Sequence, residues 1–365
     1  MSGGVDSSLS AALLVEQGHD VTGVYMKNWT RDLPGMKCPW AEDLADAKRV
    51  AVKLGIPFKV FDFQDEYKNL VVDYMIREYS VGRTPNPDIM CNQEVKFGLF
   101  LSAAIADGAE MIATGHYARV HPSCHPELVS GSSELSGEIL KQVQNDKALL
   151  LRAKNSDKDQ TYFLYRITGE ALKKTLFPIG DFATKEEVRK EAEKRGLVTA
   201  RKRDSQGICF VGSVGIRDFL SQYVETTPGD IIEKETGKVL GRHDGAIFYT
   251  FGQRHGLGIG GGLPYYVVDK DMAKNEVYVS TNLNNEEFWR EKLTLTDVHW
   301  INDAPDGKMY KIRIRHRAPL IDAEISFDDD EVILSLQNPE RAIAPGQSIV
   351  IYDGEICIGG GILKA

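Results

Sequence analysis

The start of the chain has the residue types and spacing of a phosphate-binding turn. The glycines let the backbone approach a ligand closely. The free N–H groups of a first helical turn carry partial positive charge, which suits a phosphate. The hydroxyls add donors, and Asp6 is placed to cap the helix or to hold a metal ion. The lysine of a Walker A loop is absent. The stretch consists of Ser2, Gly3, Gly4, Val5, Asp6, Ser7 and Ser8, and helix formers follow as far as Gly18.

Two of the five cysteines stand where a thiolate is favoured. Cys91 follows a proline-containing loop and precedes a predicted helix, and Asp88 lies three residues earlier as a proton carrier. A thiol near a helix N-terminus has a lowered pKa. Cys209 follows the basic run 201–203, whose positive charges favour a thiolate. Cys91 and Cys209 are each also compatible with an inert, buried cysteine. We interpret Cys38 and Cys357 as structural.

A second pattern favours contact with phosphates. Four cations alternate with apolar residues and a histidine near the end of the chain, so a strand there would present them on one face. That face would bind RNA phosphates or would be an ordinary solvated surface. Because the formal net charge is −9, any RNA-binding surface must be a local patch. The cations are Lys311, Arg313, Arg315 and Arg317.

Composition limits the class of protein. Hydrophobic residues make up 42% and charged residues 27% of the chain, as in soluble globular proteins. No apolar run approaches the ~18 residues of a membrane span. The cysteines are odd in number and contain no CxxC pair, which disfavours a zinc ribbon or a secreted disulfide framework. We therefore expect a cytoplasmic protein.

The elements that must position these residues alternate between strand and helix. Strands are predicted at 21–26, 58–63 and 111–114, and helices at 44–54, 64–82, 93–107 and 185–195. This order indicates an α/β fold with a doubly wound parallel sheet, whose ligands bind at the carboxyl ends of the strands. The opening loop, Met26 and Gly115 all lie at such ends.

Such a loop ordinarily follows a buried strand, and Met1 stands where that strand would end. We therefore expect the sheet to lack its central strand, which would leave the loop poorly anchored and the chain poorly active or unstable.

Three domains are predicted. Residues 1–205 form the nucleotide domain, with 121–147 as a polar insertion between two hairpin arms. Residues 206–282 form a small β-rich domain with hairpin turns at 235–237 and 243–245, and residues 283–365 a β-barrel.

The loop at 2–8 resembles the PP-loop of ATP pyrophosphatases, which cleave ATP between the α and β phosphates and adenylate a substrate; we call it the PP-loop. Together with further strings in the same order, it resembles the tRNA-specific 2-thiouridylases (the MnmA/TrmU family). The resemblance covers nearly the whole chain apart from 121–147. The matching strings are SGGVDSS, MKNW, TPNPDIMCN, TGHYAR, KDQTYFLY, DSQGICFVG, TFGQRHGLGIGG, YYVVDKD and APGQ.

The resemblance implies ATP-dependent 2-thiolation of the wobble uridine of tRNA. ATP, with Mg²⁺, would lie on Ser2 to Ser8, with Met26 and Gly115 near the nucleoside. Cys209 matches the cysteine that carries a persulfide. Cys91 matches the nucleophile that helps release the sulfur, which leaves a transient Cys91–Cys209 disulfide, and Asp88 matches an acid/base. The positions that match tRNA contacts are Asn86, Pro87, Asp88, His116, Lys158, Asp159, Gln160, Arg315, His316 and Gln347.

The implied partners are tRNA and either a persulfide sulfur-relay protein or a cysteine desulfurase, and we expect a monomer that does not bind membranes. Three alternatives stay open. Some related thiolases hold an iron–sulfur cluster on three cysteines, for which Cys38 would join Cys91 and Cys209. An adenylating ligase or amidotransferase shares the PP-loop but needs no cysteine pair. A non-catalytic tRNA-binding remnant would bind RNA without releasing AMP. Members of the family often have tyrosine where this chain has His316.

Overall fold

The computed structural model describes most of the chain. Cys209 and residues 122–146 of the predicted insertion lie outside the described residues. The described residues are 1–32, 38–121, 147–203, 216–260, 262–282, 284–285, 288–306, 308–329, 331–341 and 343–364.

The N-terminal part confirms the α/β prediction. Helix α1 (Val5–Glu16) precedes strand β1 (Gly23–Lys27), helix α2 (Trp40–Leu54) and strand β2 (Phe58–Asp62). Strands β1 and β2 pair in parallel, with Gly23 opposite Phe58. A second parallel pair joins β3 (Ile112–Ala113) to β6 (Thr175–Leu176). Among the described residues the two pairs are not hydrogen-bonded to each other.

Two long helical runs flank these strands. The first contains α3 (Gln64–Tyr67), a π-helical segment (Lys68–Val72) and α4 (Asp73–Ser80). The second contains α5 (Pro87–Met90), a π-helical segment (Cys91–Phe100) and α6 (Leu101–Ala106). This second run begins at Pro87 rather than near 93, because proline fits the first position of a helix. Cys91 therefore lies one turn inside the run, not before it.

The predicted hairpin forms, but it belongs to another domain's sheet. Strands β4 (Ala118–His121) and β5 (Leu149–Arg152) pair antiparallel. Strand β5 then pairs with β16 (Ile356–Leu363), with Leu151 opposite Ile356. The hairpin thereby extends the C-terminal sheet and joins the N-terminal domain to the barrel. Downstream follow α7 (Gly169–Lys173), α8 (Lys185–Lys194) and α9 (Ile216–Leu220).

The central region is a sheet of four strands, β7 (Gly229–Glu233), β8 (Val239–His243), β9 (Tyr266–Asp271) and β10 (Glu276–Ser280). Their order in the sheet is β8-β7-β10-β9. The turn at 235–237 joins β7 to β8, as predicted. The hairpin predicted at 243–245 is wrong, because Gly245 leads into a 3-10 turn (Ala246–Phe248).

The strands of the C-terminal barrel are β16, given above, and β11 (Trp289–Trp300), β12 (Met309–Arg313), β13 (Ile321–Asp328), β14 (Glu331–Arg341) and β15 (Ser348–Asp353). The barrel closes where β11 pairs with both β14 and β16. The predicted four-cation face is wrong. Strand β12 ends at Arg313, which is 5% exposed, and Arg317 lies in a turn with φ of 64°.

Candidate nucleotide and RNA site

The PP-loop forms the N-terminus of α1. Gly4 is the N-cap, with no side-chain cap, so the prediction that Asp6 caps the helix is wrong. Gly3 has φ of 74°, and a Cβ there would lie 2.3 Å from the carbonyl oxygen of Asp43. The hydroxyl of Ser8 turns back to donate to the Gly4 carbonyl at 2.8 Å. The loop is thus a tight backbone turn packed against the start of α2.

Gly115 lies directly against the PP-loop. A Cβ at Gly115 would lie 2.6 Å from the amide nitrogen of Ser7, so only glycine fits. The next tyrosine, Tyr117, donates its hydroxyl to Asp6 Oδ1 at 3.0 Å. Met26 lies at the end of β1, half-buried. Gly115 and Tyr117, which are distant from the PP-loop in sequence, therefore meet it, as the strand-end argument predicts for Gly115.

The loop that contains Gly115 also contacts the 158–160 stretch. The Gln160 side-chain oxygen accepts from the Tyr117 amide at 2.8 Å, and the Gln160 amide donates to the Tyr117 carbonyl at 2.8 Å. His116 lies between Phe97 and Phe177, with its Nδ1 2.8 Å from the Thr114 hydroxyl. Burial and the nearby Lys96 ammonium hold the pKa of His116 well below its usual value, so the ring is neutral.

Asp159 lies beneath the surface. Its carboxylate accepts from Arg313 at 3.0 Å and from Arg152 at 3.3 Å, and the residue is 1% exposed. Its side chain therefore links the barrel to the N-terminal domain and is not presented to RNA. Lys158, which directly precedes Asp159, is half-buried.

His316 is half-buried and packs on Phe163, with ring centroids 4.5 Å apart. Burial and the charges of Arg317 and Arg313 lower the pKa of His316 to about 4, so this ring is neutral too. Its Nδ1 is buried, and no described residue forms a hydrogen bond with it. Gln347 lies between β14 and β15, where its carbonyl accepts from the Leu363 amide at 2.9 Å.

The loop before Cys91 is fixed by its own side chains. Asn86 caps α5, since its side-chain oxygen accepts from the amides of Asp88 at 3.2 Å and Ile89 at 3.4 Å. Cys91 is 2% exposed, in a cluster with Trp29 and Phe219. The next residue, Asn92, donates to the Phe163 carbonyl at 2.9 Å, so the cysteine helix contacts the residue on which His316 packs.

The other described cysteines are buried in different degrees. Cys38 is half-buried against the same cluster as Cys91, and burial raises its thiol pKa. Cys357 is 1% exposed in the core, and burial raises its pKa as well. The basic run before Cys209 is engaged in ion pairs, since Lys202 contacts Asp43 at 2.7 Å and Asp46 at 2.6 Å.

A cleft of about 1020 Å³ opens between the central sheet, the barrel and the loop 81–83. The cleft is lined by cations and by the carboxylate of Asp269, with which Lys234 pairs at 2.8 Å. Lys292 and Arg315 are exposed and ion-pair with no carboxylate of the described residues. Its cations are Arg83, Lys234, Lys270, Arg290, Lys292, Arg315, Arg341 and Lys364.

This cleft leads to the loop before Cys91. Thr84 donates its amide to the Pro345 carbonyl of the barrel at 2.9 Å, and a Cβ at Gly82 would lie 2.7 Å from Met272 of the central sheet. Burial lowers the pKa of Lys270 to about 8, and its ammonium donates to the Tyr249 carbonyl at 2.9 Å. The cleft is thus a local cationic patch on a chain of net negative charge. Apart from Lys270 and Arg315, its cations stand in no motif of the sequence, because they come from separate elements.

Within the described residues, no three His, Cys, Asp or Glu side chains are grouped to hold a metal ion. None of the described helices has the length and apolarity to cross a bilayer.

Three family models match successive parts of the chain. They are a tRNA methyl transferase HUP domain at residues 1–213, a tRNA methyl transferase PRC-barrel domain at 217–281 and an aminomethyltransferase beta-barrel domain at 290–363. A solved structure titled as a predicted subunit of a tRNA methyltransferase from Methanocaldococcus jannaschii has 17% identity, covers 56% of this chain and 91% of its own, and has a TM-score of 0.27.

Curated relatives match the whole chain. A protein of Limosilactobacillus reuteri is 43% identical over 374 residues, which cover 100% of this chain and 93% of the relative. A Listeria welshimeri protein is 42% identical over 367 residues with the same coverage. A Pediococcus pentosaceus protein is 43% identical over 375 residues and 94% covered. Each is named tRNA-specific 2-thiouridylase MnmA.

Proposed function

The chain belongs to the family of tRNA-specific 2-thiouridylases, and from that premise we propose that it replaces the C2 oxygen of the wobble uridine, position 34 of tRNA, with sulfur at the expense of ATP. One observation carries the proposal. The segment 115–117 touches the PP-loop through Gly115 and Tyr117, and it touches the 158–160 stretch through the Gln160 hydrogen bonds. The proposed nucleotide site and the proposed RNA site would thus share the segment 115–117.

ATP solves a leaving-group problem. The C2 oxygen of uracil cannot leave as oxide, whereas it leaves readily once it is esterified to a phosphate. The PP-loop backbone and hydroxyls from Ser2 to Ser8 would hold the phosphates, because a helix N-terminus suits anions. Met26 and Gly115 would lie near the nucleoside. The uracil oxygen then bonds to the α-phosphorus as the bond to pyrophosphate breaks.

The two cysteines divide the sulfur chemistry. The terminal sulfur of a Cys209 persulfide attacks C2, and AMP departs with the oxygen. The Cys91 thiolate then attacks the Cys209 sulfur, which frees 2-thiouridine and leaves a Cys91–Cys209 disulfide. An external thiol reduces that disulfide. Asp88, one helical turn before Cys91, serves as acid and base. Because Cys91 is 2% exposed, the substrate base must displace part of its apolar cover.

Several residues would hold the tRNA. Asn86, Pro87 and Asp88 would meet the flipped base. Arg315 would bind phosphates from the cationic cleft, and the half-buried neutral ring of His316 would stack. The neutral ring of His116 is 9% exposed between Phe97 and Phe177 and would reach tRNA only at its edge. Asp159 would fix the loop from below. Lys158, Gln160 and Gln347 complete the proposed surface.

Magnesium would arrive with ATP rather than in a protein-built site, since the Asp6 carboxylate is engaged by Lys185 and Tyr117. We retain the domain division 1–205, 206–282 and 283–365, which the matched family ranges support. The sulfur donor would be a persulfide relay protein or a cysteine desulfurase. We expect a monomer that acts in the cytoplasm, where tRNA and ATP are found.

Mass spectrometry of wobble uridines, after complementation of a thiolase-deficient strain, tests the proposal. The wild-type chain should restore 2-thiouridine, whereas Cys91→Ser and Cys209→Ser should not. Cys38→Ser is the matched control. It should restore 2-thiouridine if the enzyme uses a persulfide, and it should fail to do so if Cys38 helps to hold an iron–sulfur cluster. A wild-type chain that restores no 2-thiouridine would overturn the proposal, and ATP turnover left intact in both Cys91→Ser and Cys209→Ser would then favour the ligase alternative.

A further inference from the structure

Lys185 is a buried cation that contacts the PP-loop although it lies 179 residues from Asp6 in the sequence. Its ammonium lies 2.7 Å from Asp6 Oδ1 and 2.7 Å from Asp6 Oδ2, and the residue is 8% exposed. It also lies over the Tyr117 ring, 5.5 Å from the centroid, and Tyr117 donates its hydroxyl to Asp6. Charged lysines are rarely buried without a reason in the site they face.

The PP-loop itself lacks a cation. Residues 2–8 include neither lysine nor arginine, so the loop offers only N–H and hydroxyl donors to the several negative charges of a triphosphate. The hydroxyls of Ser7 and Ser8 are turned back to the Gly4 carbonyl. A phosphate site normally adds a fixed positive charge to its backbone donors. Lys185 supplies such a charge.

The fold holds Lys185 in place. It is the first residue of α8, where a capping box between Thr184 and Glu187 fixes the helix start. Val188 of the same helix packs in one cluster with Leu9 of α1. The two helices are therefore locked together, and the ammonium cannot drift away from the loop.

We propose that Lys185 binds the pyrophosphate end of ATP, with Asp6 and Tyr117 as its positioning residues. This inference rests on the proposed function, because it presupposes ATP at the PP-loop. As the acceptor oxygen bonds to the α-phosphorus, the bond from that phosphorus to the bridging oxygen breaks, and the electron pair stays with pyrophosphate. The Lys185 charge stabilises that growing negative charge. No motif in the sequence links Lys185 to the loop, because it lies far along the chain from residues 2–8.

Nucleotide binding distinguishes this role from simple neutralisation of Asp6. Isothermal titration in magnesium buffer would compare α,β-methylene-ATP with AMP. Lys185→Met should weaken the analogue by about tenfold, the strength of one good ion pair, and leave AMP affinity unchanged. Lys190→Met is the matched control, because Lys190 is exposed on the same helix, and it should change neither affinity.

A second pair of variants separates the two roles further. If Lys185 only neutralises Asp6, the double variant Asp6→Asn/Lys185→Met should bind the analogue like wild type. We expect the double variant to stay as weak as Lys185→Met, and Lys185→Arg to recover part of the affinity because it keeps the charge. Should the methionine variant not fold, Lys185→Gln, which can still donate to Asp6, should show the same selective loss.

The possible failures are distinguishable. Wild-type protein that binds neither nucleotide would overturn the proposed function itself. Wild-type protein that binds the analogue and thiolates tRNA, beside a folded Lys185→Met variant of equal analogue affinity, would overturn only the role of Lys185. Equal losses for the analogue and AMP would likewise overturn it.

Discussion

His116 and His316 stand in the candidate RNA site as neutral rings, although a histidine beside RNA is readily assumed to be a cation. His116 is buried and His316 half-buried among aromatic side chains, and each faces nearby positive charge: Lys96 beside His116, and Arg313 and Arg317 beside His316. Both causes disfavour a protonated ring. The two rings therefore add no positive charge to the candidate site, whose cations are lysines and arginines.

This predicts a pH dependence of stability. The folded pKa of His316, about 4, lies below its usual value of 6.5. The contribution of the neutral His316 ring to the free energy of unfolding is thus fully present above pH 6.5. It is lost as the pH falls towards 4, because the unfolded chain takes up the proton first. His316→Phe keeps the stacking and removes the titration. Denaturant unfolding at pH 7 and 4.5 should show a smaller loss of unfolding free energy for the variant than for wild type.

The control for that experiment is His255→Gln, since His255 is exposed. It should follow the wild-type pH dependence. An identical loss in His316→Phe and wild type would show that the ring is not buried in its neutral form.

Individual residues also show the limits of reading a sequence. The motif that contains Asp159 indicates a role at the RNA site, yet only the fold shows that its carboxylate lies under the surface against Arg313. The type of Lys185 carries no signal on its own, because dozens of lysines and arginines are spread along the chain. Gly115 is predictable, because a glycine directly after a buried strand is typical of a close approach between backbone and ligand.

At the scale of elements, the main finding is that the β4–β5 hairpin belongs to the barrel sheet. The short apolar stretches on either side of the insertion predicted two hairpin arms, and both form. Their partner, β16, lies some 200 residues further along the chain, and local patterns hold no information about such pairing. The hairpin and the Asp159 ion pairs together fasten the barrel to the nucleotide domain.

The Asp159–Arg313 pair is expected to be a strong fastening. Asp159→Asn leaves two arginines without their carboxylate, which costs about 3–5 kcal/mol for a buried pair. Asp322→Asn is the matched control, since its pair with Lys311 at 2.8 Å is exposed and worth less than about 1 kcal/mol. Unfolding free energies of the two variants test this. Equal costs would mean that the buried pair does not hold the domains together.

At the scale of the whole molecule, a chain of net charge −9 gathers eight lysines and arginines around one of its clefts. The cleft lies where the central sheet, the barrel and the loop 81–83 meet, and that loop runs on to Asn86 and Asp88. Phosphates bound there would lie near the loop that leads to Cys91, the proposed nucleophile. Net charge alone predicted a local patch, but its place depends on how three domains pack, which no single stretch encodes.

Salt dependence tests this arrangement. Removing one cation that binds a phosphate should lower the slope of log affinity against log salt by about 0.9 for a duplex. Lys292→Ala and Arg315→Ala should each weaken tRNA binding and flatten that slope, whereas Lys48→Ala, exposed on α2, should not. The check is tRNA binding at several salt concentrations. An unchanged slope in both cleft variants would place the RNA elsewhere.

The central claim is that ATP turns the C2 oxygen of the wobble uridine into a leaving group. It is tested most directly with tRNA that carries oxygen-18 at C2 of that uridine, in a reaction with ATP and a persulfide donor. We predict one oxygen-18 atom in the phosphate of AMP for each 2-thiouridine formed. Thiolation with the label released into water, or with ADP as the nucleotide product, would contradict the account.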